Sequence, residues 1–218
     1  IRTSYLEESP IKIYTICYNS FSKNQVLNRH NYFEFLLFKS GKNGHQIIDF
    51  NQYQNTDKSI FIVAPGQAHF LKCSRGENGI AIRFTKEFLE LSVVPSQINW
   101  FFKLQTNPKI TLDTLQFEKL YSRFEKIKEL YNTTKSLFKL QKLQKLFGLI
   151  LFELLEIIPD KIELNNREDI SYEFMSLVVD NFKEIRLVNK YAKLLNTPIN
   201  KLVKEVKIHL GRSPINII

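Results

Sequence analysis

The residues best equipped for chemistry are His30, Glu34 and His69. His30 and Glu34 stand four apart in "NRHNYFEF", so on one extended strand they would share a face, and His69 follows the turn-forming "PGQA". Two imidazoles and a carboxylate are a donor set suited to a divalent ion such as iron or zinc. Asn28 and Tyr32 occupy flanking positions where another histidine would strengthen that set. His45 reads as strand decoration after a glycine turn, and His209 as the edge of a packed helix. The sequence offers no phosphate-cradling glycine loop, no cysteine pair with zinc spacing and no nucleophile elbow. With 7 glycines in the chain, such loops have little material.

A second chemistry is electrostatic. Lys and Arg number 31 against 22 Asp and Glu, a formal +9 with a pI near 9.4, which favours a polyanionic partner. Between Lys183 and Arg212, eight basic residues face only Glu184 and Glu205, so +6 of the total sits in one short stretch. Within it, Thr197 is a plausible N-cap with Pro198 in the first turn. At 100° per residue, Ile199, Leu202, Val203, Val206 and Leu210 then share an arc, opposite Asn200, Lys201, Lys204, Lys207 and Ile208. One side suits a small core; the other offers amide and ammonium groups for base edges and phosphates. The preceding segment, about Leu187 to Leu195, presents Val188, Tyr191, Leu194 and Leu195 for packing, with Ala192 where two helices could cross closely. The pair reads as a helix-turn-helix. A binder of RNA or of an acidic membrane surface is an alternative use of the same basic end.

The elements that must position these groups fall into three regions. From Ile11 to about Phe88 the segments "IKIYTICY", "YFEFLLFKSG", "GHQIIDFNQYQ", "SIFIVAPGQ", "HFLKCS" and "GIAIRFT" read as short strands separated by turn residues, which predicts an antiparallel sandwich or barrel. From about Asp113 the period is helical: Phe117, Leu120, Tyr121, Phe124, Ile127 and Tyr131 form one stripe. In "SLFKLQKLQKLFGLILFELLEII", Leu137, Leu140, Gln144, Phe147, Leu151, Leu154 and Ile158 make a seam of period 3.5, and Leu143, Leu146, Ile150 and Ile157 add a second apolar row. That helix needs more than one neighbour. Its seam is open to two readings, burial within its own chain or pairing with a second copy, with Gly148 permitting close approach and Gln144 setting register. "PDKIELNNRE" reads as a linker, and residues 169–218 are helical in pattern.

At 218 residues, 25.8 kDa and 44% apolar content, the chain can build one large or two modest cores. Cys17 and Cys73 lie far apart in apolar strand-like segments and read as buried free thiols of a reducing compartment. The run Leu146 to Ile158 is too short, and too interrupted by Glu153 and Glu156, to span a bilayer. No signal peptide is visible, and the opening residue is Ile1 rather than Met. A cytoplasmic location without membrane association is expected.

The segment "FMSLVVDNFKEIRLVNKYAKLLNTPINKLVKEVKIHLGRSP" resembles the first helix-turn-helix of the AraC family of bacterial transcription regulators, with Ala192, Leu195, Asn196, Leu202, Val206, Lys207, Gly211 and Pro214 matching. "NRHNYFEFLLFKSGKNGHQIIDF" and "SIFIVAPGQAHFL" resemble the family's effector-binding cupin domain, and residues 113–158 its dimerisation helices. The resemblance implies an α+β multi-domain chain. Its parts would be a cupin-like antiparallel β-barrel at 1–110, a helical linker or dimerisation segment at 111–160, and a truncated DNA-binding domain at 168–218. In that family two such motifs are joined by a long helix, so "INII" is expected to open that helix, and a chain with one motif to bind DNA weakly.

By the same resemblance the base-facing positions are Asn200, Val203 and Lys204, with Val203 departing from the polar residue often found there, and Lys201, Lys207 and Arg186 are expected at phosphates. The effector pocket is expected at His30, Phe33, Phe35, His69 and Arg83, and the dimer interface at Leu140, Gln144, Phe147, Leu151 and Leu154. The expected partners are double-stranded DNA, a small-molecule effector and a second copy of the chain. Regulatory cupins of this kind keep such histidines for hydrogen bonding, so no catalytic residue, cofactor or metal is expected. The alternative is a metal-dependent cupin enzyme with an appended basic domain.

Overall fold

The structure is a computed structural model that describes residues 2–4, 6, 9–17, 27–94, 101, 108–133, 135–157, 170–210 and 212–218, with backbone alone for 2–4 and 172. The expected linker, Ile158 of the expected seam and Gly211 lie outside the described residues.

Among the described residues ten strands form two five-stranded sheets. In chain order they are β1 (Arg2–Ser4), β2 (Ile11–Cys17), β3 (Asn28–His30), β4 (Phe33–Ser40), β5 (His45–Ile48), β6 (Asn51–Gln54), β7 (Ser59–Val63), β8 (His69–Lys72), β9 (Asn78–Phe84) and β10 (Lys109–Thr111). One sheet runs β1-β3-β8-β5-β6 and the other β10-β7-β4-β9-β2, antiparallel throughout except for the β1–β3 pair. The second sheet is apolar on both faces, which explains why "YFEFLLF" hardly alternates. Leu36, Phe38, Phe61, Val63 and Ala81 turn toward the first sheet and meet Ile48 and Leu71. Phe33, Phe35, Ile60, Ile62, Ile80, Ile82 and Phe84 turn the other way, into the larger core built with helices.

Those helices are α1 (Lys86–Ser92), α2 (Thr114–Thr133) and α3 (Lys139–Ile157). The predicted strand run to Phe88 ends early: the Thr85 side chain accepts from Phe88 N–H at 3.2 Å and caps α1, so Lys86 to Phe88 are helical. β10 crosses the expected boundary at 110, pairing Ile110 with Ile60. α3 lays its seam on the sheet, with Phe147 stacking on Phe35 at 5.8 Å and meeting Phe84 at 4.5 Å and Phe88 at 5.3 Å. The expected dimer interface is thereby corrected. Gln144, Phe147, Leu151 and Leu154 are buried within their own chain, and of that set only Leu140 is exposed. A period-3.5 seam fits a sheet surface as well as a partner helix. Gly148 serves the approach of α3 to α1, since a Cβ there would sit 2.7 Å from the Ser92 carbonyl oxygen.

Among the described residues four further helices follow: α4 (Ile170–Asn181), α5 (Val188–Leu194), α6 (Ile199–Leu210) and the single turn α7 (Pro214–Ile217). Phe174 of α4 meets Tyr191 of α5 edge-on at 5.4 Å, and both join Leu202, Val206 and Leu210 of α6 in the core. This unit rests on the sandwich. Lys86 pairs with Asp180 at 2.5 Å, Arg212 with Asp49 at 3.4 Å, and Phe182 packs so closely on Gly66 (φ +81°) that a Cβ there would come within 2.9 Å of its ring.

Candidate functional site

Between the two sheets, at the end where β3 turns into β4, lies a cluster of polar side chains centred on Glu34. The bend at Asn31 and Tyr32 separates His30 from Glu34, so the two do not share a strand face as the spacing predicts. They face each other instead from opposite sheets, His30 from β3 and Glu34 from β4, while β8 contributes His69. Glu34 is 1%, His30 2% and His69 6% exposed. A carboxylate this deep must be fully engaged. Its Oε1 accepts from Arg83 Nε at 2.7 Å and from the Tyr14 hydroxyl. Its Oε2 lies 3.8 Å from His30 Nε2 and 3.5 Å from His69 Nδ1. The Arg83 guanidinium also sits over the Tyr14 ring at 4.6 Å and the Tyr32 ring at 5.3 Å.

The histidines are oriented from behind. His30 Nδ1 is 2.7 Å from the Tyr32 carbonyl oxygen, and its ring stacks on Tyr32 at 4.1 Å. His69 Nε2 is 3.0 Å from Gln46 Oε1. Burial pushes the Glu34 carboxyl up, yet the Arg83 charge, followed by the hydrogen bond and charge of His69 and the charge of His30, outweighs it and holds the group well below the carboxylate range. Burial lowers His30 to about 4 despite the opposing pull of Glu34, so its imidazole is neutral at pH 7. Tyr14 is pushed well above its ordinary range, by burial first and by the Glu34 charge second.

The structure thus brings His30, His69 and Arg83 together and separates them from Phe33 and Phe35, which lie in the helix-facing core. The expected effector pocket is corrected on those two residues. A strand inverts its side-chain direction at every residue, so Glu34 facing inward forces its neighbours outward. Tyr14 and Gln46 were not anticipated, and Tyr32, a flanking position in the sequence, supports His30 rather than adding a ligand. Tyr14 reaches Glu34 through the register that sets β2 beside β9 and β9 beside β4, which no local spacing in "IKIYTICY" signals.

The basic helix pair has the expected outline with two local differences. Leu195 N–H bonds Tyr191 O at 2.9 Å, Asn196 N–H bonds Lys193 O and Thr197 N–H bonds Ala192 O at 3.0 Å each, and Asn196 takes φ +46°. This left-handed asparagine cap ends α5 and reverses the chain. The ladder of α6 starts where the Pro198 carbonyl accepts from Leu202 N–H at 3.1 Å, one residue later than a Thr197 cap would place it. Tyr191 and Ala192 are buried, but Leu194 is 55% and Ile199 43% exposed, so neither packs as the wheel suggests. Arg186, Asn200, Lys201, Lys204 and Lys207 are exposed, and Val203, at 37%, is exposed with them.

A cleft of about 480 Å³ separates the sandwich from this helical unit. Arg29, Asp49 and Gln67 line it on one side, and Val178, Arg212 and Ile215 on the other. Cys73 is buried, whereas Cys17 is only partly so. No described helix is long and apolar enough to cross a membrane.

No protein-family model and no curated protein sequence matches the chain. Among solved structures, ToxT from Vibrio cholerae is similar with 11% identity and a TM-score of 0.45, covering 94% of this chain and 78% of that one. ToxT from Vibrio cholerae O395 is similar with 13% identity and a TM-score of 0.45, covering 95% and 76%. The chain is likewise similar, at 12% identity and a TM-score of 0.39, to CuxR, described as an AraC-like transcriptional activator, with 95% and 70% covered.

Proposed function

We propose that this chain is a DNA-binding transcription regulator of the AraC type, with α5 and α6 as a helix-turn-helix and α6 as the element that enters the major groove. The observation that carries this reading is the division of α6: Leu202, Val206 and Leu210 are buried against α4 and α5, while Asn200, Lys201, Lys204 and Lys207 stand free. A helix held by one face and cationic on the other is what groove docking requires. Asn200 and Lys204 read base edges, Val203 contacts a thymine methyl, and Lys201, Lys207 and Arg186 hold phosphates.

Control by a small molecule is the second part of the proposal. The cleft between sandwich and helical unit has the volume of a small-ligand site, and any occupant touches both parts. A ligand that binds more tightly when the Lys86–Asp180 and Arg212–Asp49 contacts are made, or when they are broken, shifts the population of helical-unit positions. Enzymatic use of the Glu34 cluster is disfavoured, because three groups exposed by 6% or less leave a substrate no approach.

Duplex selection from random sequence, followed by anisotropy titrations with the full chain, tests the reading. Selected duplex should bind in the presence of excess random DNA, with affinity falling steeply as salt rises. Lys204→Ala should reduce selected binding more than random binding, and Lys207→Ala both alike. Equal loss of discrimination in the two variants, or binding only to single strands or anionic vesicles, would overturn the assignment.

A further inference from the structure

We propose that His30, Glu34 and His69 form a binding site for one divalent transition-metal ion, which ties the two sheets together inside the sandwich. The tautomer of His30 is settled by its neighbour. The Tyr32 carbonyl can only accept, so the 2.7 Å contact makes Nδ1 the protonated nitrogen and leaves a lone pair on Nε2. That nitrogen is buried, has no hydrogen-bond partner among the described residues, and faces Glu34 Oε2 at 3.8 Å. A lone pair directed at a carboxylate oxygen in a dry interior calls for a positive centre between them.

His69 supplies the second nitrogen. Its Nε2 is held by Gln46 Oε1 at 3.0 Å, which leaves Nδ1 facing the same Oε2 at 3.5 Å, where its hydrogen bond to Glu34 gives way to a bound ion. One ligand atom from each residue lies within 4.8 Å of the others. Zinc bonds of about 2.0–2.2 Å to nitrogen and oxygen put tetrahedral neighbours roughly 3.3 Å apart, so closure draws the three ligand atoms, which lie within 4.8 Å of one another, together by up to about 1.5 Å.

The surroundings are those of a metal site rather than of a proton relay. The Tyr32 carbonyl and Gln46 back the two imidazoles, and Arg83 and Tyr14 occupy the far oxygen of Glu34, leaving Oε2 directed inward. Two nitrogens and one carboxylate favour zinc, iron(II), cobalt or manganese over calcium or magnesium. Arg83 repels the ion through the shared carboxylate and weakens binding. The burial of all three ligands gives the ion a structural or regulatory role, linking β3 and β8 of one sheet to β4 of the other.

The test uses the full chain stripped with chelator, titrated with zinc, manganese and cobalt(II), and read by metal content after dialysis, by thermal unfolding and by the visible bands of bound cobalt. The chain has four histidines, so His45→Ala with His209→Ala, both outside the cluster, confines imidazole ligation to His30 and His69. One ion per chain, a raised Tm, and retention of both in that double variant are expected. His30→Gln or His69→Gln should abolish binding, and Gln46→Ala should weaken it about 10–100-fold. Absence of a stoichiometric ion in the wild type, loss in the His45/His209 variant, or undiminished binding in His30→Gln would overturn the proposal. If the core variants do not fold, wild type and the His45/His209 variant decide it alone.

Discussion

Removal of Arg83 should harm the protein more than removal of its partner, and the difference measures how the Glu34 cluster is held. Arg83 Nε and Glu34 Oε1 are 2.7 Å apart, but Arg83 is 30% exposed whereas Glu34 is 1% exposed. Arg83→Met therefore strands a carboxylate that water cannot reach. Breaking a buried pair in this way costs about 3–5 kcal/mol, and the partial exposure of Arg83 places the expectation near the lower end, about 3 kcal/mol. Glu34→Gln leaves a guanidinium that can turn toward solvent, with an expected loss of about 1–2 kcal/mol. The double variant strands no charge, so its loss should fall at least about 2 kcal/mol short of the sum of the single losses. For a chain of this length, about 3 kcal/mol lowers Tm by roughly 6–12 °C.

The assay is a double-mutant cycle by urea and thermal unfolding, followed by circular dichroism in chelator at pH 8 and pH 5. Without Arg83, burial raises the Glu34 pKa above its unfolded value. The deficit of Arg83→Met should then shrink as pH falls and the stranded carboxyl takes up a proton. Strictly additive losses, or a deficit that grows in acid, would refute the claim that Arg83 neutralises a desolvated Glu34.

Other consequences are open to direct measurement. In metal-free protein His30 is held at about 4 against an unfolded value of 6.5, so the unfolded chain binds the extra proton between those values. Stability should fall by about 3 kcal/mol from pH 6.5 to pH 4, with His30→Gln flattening that limb relative to wild type. Val206→Ala, at a fully buried site on α6, should cost about 2 kcal/mol and speed hydrogen exchange in α5 and α6, whereas Val203→Ala should change stability by less than about 0.5 kcal/mol. Gly148→Ala, whose Cβ would meet the Ser92 carbonyl oxygen, should lower stability by about 1–3 kcal/mol in unfolding experiments and displace α1 in a crystal structure of the variant.

Much of the architecture was legible from local pattern. Turn residues divided the first half into short strands, and of the predicted helical stripe Phe117, Leu120, Phe124 and Ile127 are the buried face of α2, with Tyr121 and Tyr131 partly buried beside them. The left-handed turn at Asn196 between α5 and α6 was not foreseen, although asparagine tolerates positive φ where most residues do not. Leu194 and Ile199 were misplaced because a helical wheel extends one ideal period through both helix ends, where the chain is already turning.

By itself, then, the sequence determined most of the segments that become strands or helices, where the positive charge gathers, and which face of α6 is cationic. Those are properties of neighbours within one turn or one pleat. Tertiary structure alone decided which face of β4 looks inward, since Phe33, Phe35, Leu36 and Phe38 are equally apolar and both faces are covered. It decided that the α3 seam meets its own sheet, because a row of apolar side chains records the need for a partner and not the partner's identity. It also assembled the Glu34 cluster, whose members Tyr14, His30, His69 and Arg83 come from four strands. Strand pairing across the fold, rather than spacing along the chain, sets the distances between their atoms.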